Sequence, residues 1–237
     1  MLQRIFVVLF AAVLIVMSAP IESFCQSATT LTPQLKTAAN GQVQYYLSLP
    51  GGWTPDRAWP IVVTIVGSGH DFMHNCQIFR QARSSGQFII ITPCVSSNGM
   101  DPADEQNVLA IVKEVQEKYR GEPKFFLTGF SAGGHVAWQI IFSHPELLAG
   151  AVLAAGNYIG RGITTISRAP ERTRLPIIEF QGDADPSVVP LTNQWENAQQ
   201  VARSNGYQNL TRTIVPGASH GPFPEKAMDF FAGILQH

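Results

Sequence analysis

The chain has 237 residues, 45% of them hydrophobic and only 14% charged, with a formal net charge of -1. That balance excludes a strongly basic nucleic-acid binder, and the apolar content excludes a disordered chain. Three cysteines in this length exclude a disulfide-stapled miniprotein and are compatible with one large domain.

In chain order, the first feature is a short basic region, MLQR, followed by the apolar run 5–17, IFVVLFAAVLIVM. The run is shorter than the roughly 20 residues a membrane span needs, so residues 1–27 read as a secretory signal peptide. Removal after Ser27 leaves residues 28–237 as one domain, secreted or periplasmic, with no stable membrane partner expected. An oxidising compartment permits disulfides, and Cys76 and Cys94 are expected to pair.

Residues 43–49, VQYYLSL, alternate like an early or edge strand and stop at Pro50-Gly51-Gly52. The runs 61–66, IVVTIV, and 88–92, FIIIT, have the continuous, largely β-branched character of strands buried on both faces. Over 104–119, Val108, Ile111, Val112, Val115 and Tyr119 recur at spacings of three and four, which predicts an amphipathic helix. Then follow a strand at 125–130, a helix at 134–143 and strands at 149–155 and 175–180. A helix at 193–205 ends at Gly206, and a strand at 211–215 and a helix at 224–235 close the chain. Strands alternating with helices predict a single-domain α/β fold, a mostly parallel sheet with helices on both faces. The segment 157–173 is too short for a large lid, so an open cleft is expected. In such folds the functional side chains gather beyond the carboxyl ends of the strands.

One such position is Gly129-Phe130-Ser131-Ala132-Gly133, a Gly-x-Ser-x-Gly pattern between a predicted strand and a predicted helix. A serine forced onto so sharp a turn points its oxygen outward, and glycines two residues to either side relieve the crowding. The Ala132 amide, at the start of the helix, is placed to face a developing oxyanion. The competing reading is an ordinary strand–helix turn with a serine cap. A serine hydroxyl needs a base, and His220 follows the last strand in a Gly-rich loop. Between them, Asp183 and Asp185 both follow the strand at 175–180; the pattern of a loop does not choose between them as the carboxylate that orients the imidazole. Gly67-Ser68-Gly69-His70, after the strand at 61–66, suits a second oxyanion donor, with the amides of Ser68 and Gly69 as candidates.

Ser131 within GFSAGGH, the Asp185 loop and His220 within GASHG resemble the α/β-hydrolase superfamily over about residues 40 to 235. Within it the chain looks most like small secreted esterases of the polyhydroxybutyrate-depolymerase, feruloyl-esterase and dienelactone-hydrolase-like group. In that group the acid commonly stands in a Gly-x-x-Asp-x-x-Val-Pro stretch. The resemblance therefore implies Asp185, although this chain has one residue more before Val189-Pro190, and Asp183 stays the alternative acid. It also implies a serine hydrolase that cleaves small-molecule or polymeric carboxylic esters through an acyl-enzyme, with no metal or organic cofactor and no nucleic-acid partner. A secreted serine peptidase and a noncatalytic binding protein on the same scaffold are the alternatives. His70 and His74 are four apart, but the glutamate of a zincin motif is absent, so His70, Phe72 and Met73 are read as substrate-cleft residues instead.

Overall fold

The computed structural model describes residues 32–83, 87–96, 101–160 and 162–236, and the predicted signal peptide lies outside them. Eight strands form one sheet: β1 (Gln34–Thr37), β2 (Gln44–Ser48), β3 (Trp59–Ile65), β4 (Ile89–Pro93), β5 (Gly121–Phe130), β6 (Leu148–Ala154), β7 (Ile177–Gly182) and β8 (Leu210–Val215). Their spatial order is β1-β2-β4-β3-β5-β6-β7-β8. β1 and β2 pair antiparallel, and β2 runs antiparallel to β4; every pairing from β4 to β8 is parallel. Five helices connect them: α1 (Phe72–Ala82), α2 (Pro102–Tyr119), α3 (Gly133–Ser143), α4 (Val188–Ser204) and α5 (Pro224–Leu235).

The strand period of two sorts the core into two layers. Ile61, Val63 and Ile65 of β3, Ile89 and Ile91 of β4, and Phe125 and Leu127 of β5 enter one cluster with Val108 and Val115 of α2, Trp138 of α3 and Trp195 of α4. The intervening Val62, Ile90 and Phe126 enter the other, with Phe79 of α1 and Met228 and Phe231 of α5. Both faces of the central strands are thus covered, which is why their sequences are continuously apolar.

The structure departs from the sequence reading in three instructive places. β1 was not predicted, because three of its four residues are exposed and an edge strand without an apolar face leaves no periodic signal. Helix α1 was read as a loop. Its buried face holds Asn75 and Cys76 beside Phe79 and Ala82, so half the stripe is polar or small. Its start is marked, however: Asp71 caps it by accepting from the His74 amide at 3.1 Å. Helix α4 begins at Val188, before Pro190, because a proline in the first turn lacks only an N–H that would have no intrahelical acceptor.

The expected disulfide is absent: Cys76 and Cys94 are free thiols. Cys76 is wholly buried in the layer under α1 with Phe79, Phe88 and Ile90. Its thiol is hydrogen-bonded to Thr92 and fills a core position rather than reaching a partner sulfur. Burial pushes the Cys76 thiol up to about 12 and the Cys94 thiol up to about 11, so both are protonated at neutral pH. The connection from β6 to β7 carries only a short helical turn, Pro170–Thr173, and no large lid. No helix among the described residues is long and apolar enough to cross a membrane.

Candidate active site

Ser131 stands between β5 and α3 with φ of +49°, in the left-handed region that a side chain avoids unless its surroundings impose it. The surroundings do so by close packing. A Cβ on Gly129 would lie 2.6 Å from the Ala137 Cβ and 2.7 Å from the Gly133 carbonyl oxygen. One on Gly133 would lie 2.5 Å from the Val66 carbonyl oxygen, so only glycine lets α3 start against the end of β3. Backbone bonds complete the turn: the Ser131 amide donates to Ala154 at 3.0 Å, and the Asn157 amide donates to the Ser131 carbonyl at 2.8 Å. Ala132, the residue at the helix start, receives no side-chain cap.

The loop after β3 abuts this turn. A Cβ on Gly67 would sit 3.2 Å from both the Ser131 Cβ and the Phe130 ring. Gly67-Ser68-Gly69-His70 closes a tight turn, with the His70 amide donating to the Gly67 carbonyl at 3.3 Å and His70 at φ +54°. Ser68 and Gly69 are thereby placed beside the serine, at the start of the segment that leads into α1.

From the other side, the loop after β8 brings His220 over Phe130, ring centroids 4.9 Å apart. Its Nδ1 lies 2.6 Å from Asp185 Oδ2. Asp185 is almost fully buried, 2% exposed, and takes two further bonds: Oδ2 from Gln181 Nε2 at 3.0 Å and Oδ1 from the Ser187 amide at 2.7 Å. Burial opposes its charge and is the largest single influence. The hydrogen bonds from His220, Ser187 and Gln181 together outweigh it and hold the carboxyl below the usual carboxylate range. Asp183 does something else. It is exposed, and its Oδ1 accepts the Gly217 amide at 2.7 Å, bracing the turn that carries His220. The turn can lie on the end of β7 because residue 182 is glycine: a Cβ there would fall 2.1 Å from the Ala218 carbonyl oxygen.

An adjoining cavity of about 220 Å³ opens between α1 and these loops, walled by Val66, Gly67, Ile78, Phe130 and Pro222. Of the cleft residues read from the sequence, His70 lines it. Phe72 instead stacks on the His70 ring at 5.7 Å, and Met73 is 47% exposed on the outer side of α1. The wall residues that sequence reasoning missed, Asn75 and Ile78, lie one and two turns into α1, and finding them required recognising the Asp71 cap.

A parallel sheet covered on both faces, a left-handed serine in a glycine-packed strand–helix turn, and a histidine–carboxylate pair from the two last strands define an α/β-hydrolase. The chain belongs to the phospholipase/carboxylesterase family, whose model matches residues 95–235. No curated protein sequence matches it. Solved structures share the fold at low identity. A thermostable esterase is 17% identical with a TM-score of 0.66, over 86% of this chain and 62% of its own. An esterase from Thermogutta terrifontis is 17% identical with a TM-score of 0.60, over 86% of this chain and 94% of its own. A poly(3-hydroxybutyrate) depolymerase from Bordetella parapertussis is 17% identical with a TM-score of 0.63, over 86% of this chain and 88% of its own. This chain therefore spans less than two thirds of the first of these proteins and most of the other two.

Proposed function

We propose that the protein is a secreted serine esterase in which Ser131 is the nucleophile, His220 the general base and Asp185 the residue that orients and stabilises the imidazole. The observation that carries this reading is the 2.6 Å contact between His220 Nδ1 and Asp185 Oδ2, directly beside a serine held at positive φ. With Nδ1–H donated to Asp185, Nε2 is the nitrogen left to accept the Ser131 proton.

The reaction runs in two steps. Ser131 Oγ attacks the ester carbonyl carbon as His220 takes its proton. The amides of Ala132 and of Ser68 or Gly69 hold the tetrahedral oxyanion, each donor of this kind contributing about 3 kcal/mol. Collapse breaks the bond to the alkoxy oxygen, which takes the proton from His220 and leaves as the alcohol. A water, deprotonated by the same histidine, attacks the acyl-enzyme. The acid departs, and His220 returns the proton to Ser131. Asp185 keeps its charge throughout and stabilises the imidazolium that forms in each step. The cleft has no large lid, which suits small or polymeric esters alike. Secretion is proposed on the apolar run at 5–17.

The test is hydrolysis of p-nitrophenyl acetate together with labelling by a serine-directed phosphonate. Ser131→Ala is expected to lose both. Undiminished hydrolysis by that variant would overturn the proposal.

A further inference from the structure

The cavity beside Ser131 contains a polar group that ester hydrolysis does not use. Asn75 lines it from α1, yet the residue is only 6% exposed. Its Nδ2 donates to Thr64 Oγ1 on β3 at 2.9 Å. Thr64 has a single hydroxyl hydrogen, which goes to the Ile91 carbonyl at 3.3 Å, while the Thr92 hydroxyl approaches the same oxygen at 2.6 Å. Thr64 Oγ1 therefore acts as an acceptor toward Asn75, and the carboxamide must turn its nitrogen to the sheet. Its oxygen is left on the opposite side, toward the cavity. Among the described residues, that Oδ1 has no hydrogen-bond partner.

The remaining walls near it are apolar, with Ile78, Phe130, Val66 and Pro222 contributing side chains, while the exposed His70, Asp71 and His74 lie at the mouth. A space of about 220 Å³ exceeds the roughly 150 Å³ that suffices for a benzene ring. A long alkyl chain does not fit, and a plain compact group would strip the Asn75 oxygen of water and return nothing to it. A compact group carrying a hydroxyl would both fill the apolar walls and donate to that oxygen. The acyl group is the part of the ester to place here, because it stays on Ser131, which abuts Gly67 in the cavity wall, through both steps. The alcohol instead leaves past His220, whose side chain is 33% exposed.

We propose that the cavity is an acyl-group subsite and that Asn75 Oδ1 selects compact acyl groups bearing a hydroxyl. This inference rests on the serine-esterase reading. The test compares p-nitrophenyl esters with a common leaving group in two series: propanoate, 3-hydroxypropanoate and 3-methoxypropanoate; and phenylacetate, 4-hydroxyphenylacetate and 4-methoxyphenylacetate. The methoxy members accept but do not donate hydrogen bonds. In at least one series the hydroxyl member is expected to exceed both others by about tenfold in kcat/KM. Asn75→Leu, of similar volume, is expected to erase that preference while Ser131 still reacts with the phosphonate. Equal turnover within both series by the unaltered enzyme overturns the inference and leaves the esterase reading intact, as does a preference that persists in Asn75→Leu. Failure of every ester together with failure of phosphonate labelling overturns both. Should Asn75→Leu not fold, the ranking in the unaltered enzyme decides alone.

Discussion

The strand–helix turn at 129–134 and the loop at 216–220 present the two groups proposed to react, and they are held by opposite means. The turn is fixed by atoms that have nowhere else to go: three glycines, at 129, 133 and 134, each leave less than 3 Å to a neighbouring backbone or side-chain atom for an added Cβ. The loop is fixed by polar bonds to two aspartates and by the Ala184 amide donating to the Ala218 carbonyl at 3.0 Å. Close packing does not titrate; carboxylates do. The turn should therefore fail when volume is added, and the loop when charge is removed.

Charge removal at the right aspartate gives the largest expected effect. Asp185→Asn should preserve the fold and lower kcat by about 10⁴, because an amide donating to Nδ1 enforces the wrong tautomer. Asp183→Asn, which removes a brace rather than a partner of the imidazole, should lower kcat by no more than about tenfold. If the two losses were reversed, the roles drawn from the 2.6 Å contact would be wrong. Added volume comes next. Gly133→Ala drives a methyl into the Val66 and Ile65 carbonyls and should destabilise the domain by about 3 kcal/mol or more, measured by urea unfolding at pH 7.

A smaller effect separates the two regions by pH. The folded-state carboxyl of Asp185 is held below its unfolded value, so its contribution is complete above the ordinary carboxylate pKa of about 3.9 and is lost as pH falls through the folded value. Thermal scans from pH 6 downward should show the unaltered protein losing stability faster than Asp185→Asn below about pH 4. Parallel curves would mean that the bonds to Asp185 contribute nothing in solution. The smallest effect is the expected absence of one: with Cys76 and Cys94 as buried or half-buried thiols, dithiothreitol should leave Tm unchanged.

A second buried carboxylate, six residues earlier on β7, sharpens the lesson about Asp185. Glu179 is fully buried, and burial pushes it up to about 8 even with Arg212 Nε at 2.7 Å. One cationic neighbour does not offset desolvation, whereas three directed hydrogen bonds at Asp185 do.

Much of this molecule was written in its sequence. The apolar runs located all the central strands, and the closing helix runs over Pro224–Leu235 as its pattern predicts. The Gly-x-Ser-x-Gly turn was legible because its glycines answer a local steric demand. Distance along the chain carries that information, since strands and tight turns are set by neighbours in sequence. The choice of Asp185 over Asp183 as the partner of His220, the wall of the cavity and the state of the cysteines depended on something else. Asp183 and Asp185 are two residues apart in a loop, and only the approach of Gly217 and His220 from another strand end gives them different partners. Helix α1 hid its buried face because Asn75 spends its amide on Thr64 across the sheet, a contact no periodicity records. Cys76, placed by the same helix, packs into the layer beneath it, and the sequence had offered only the compartment as a guide to its fate. What remained for the tertiary structure was every property set by groups distant in sequence and near in space.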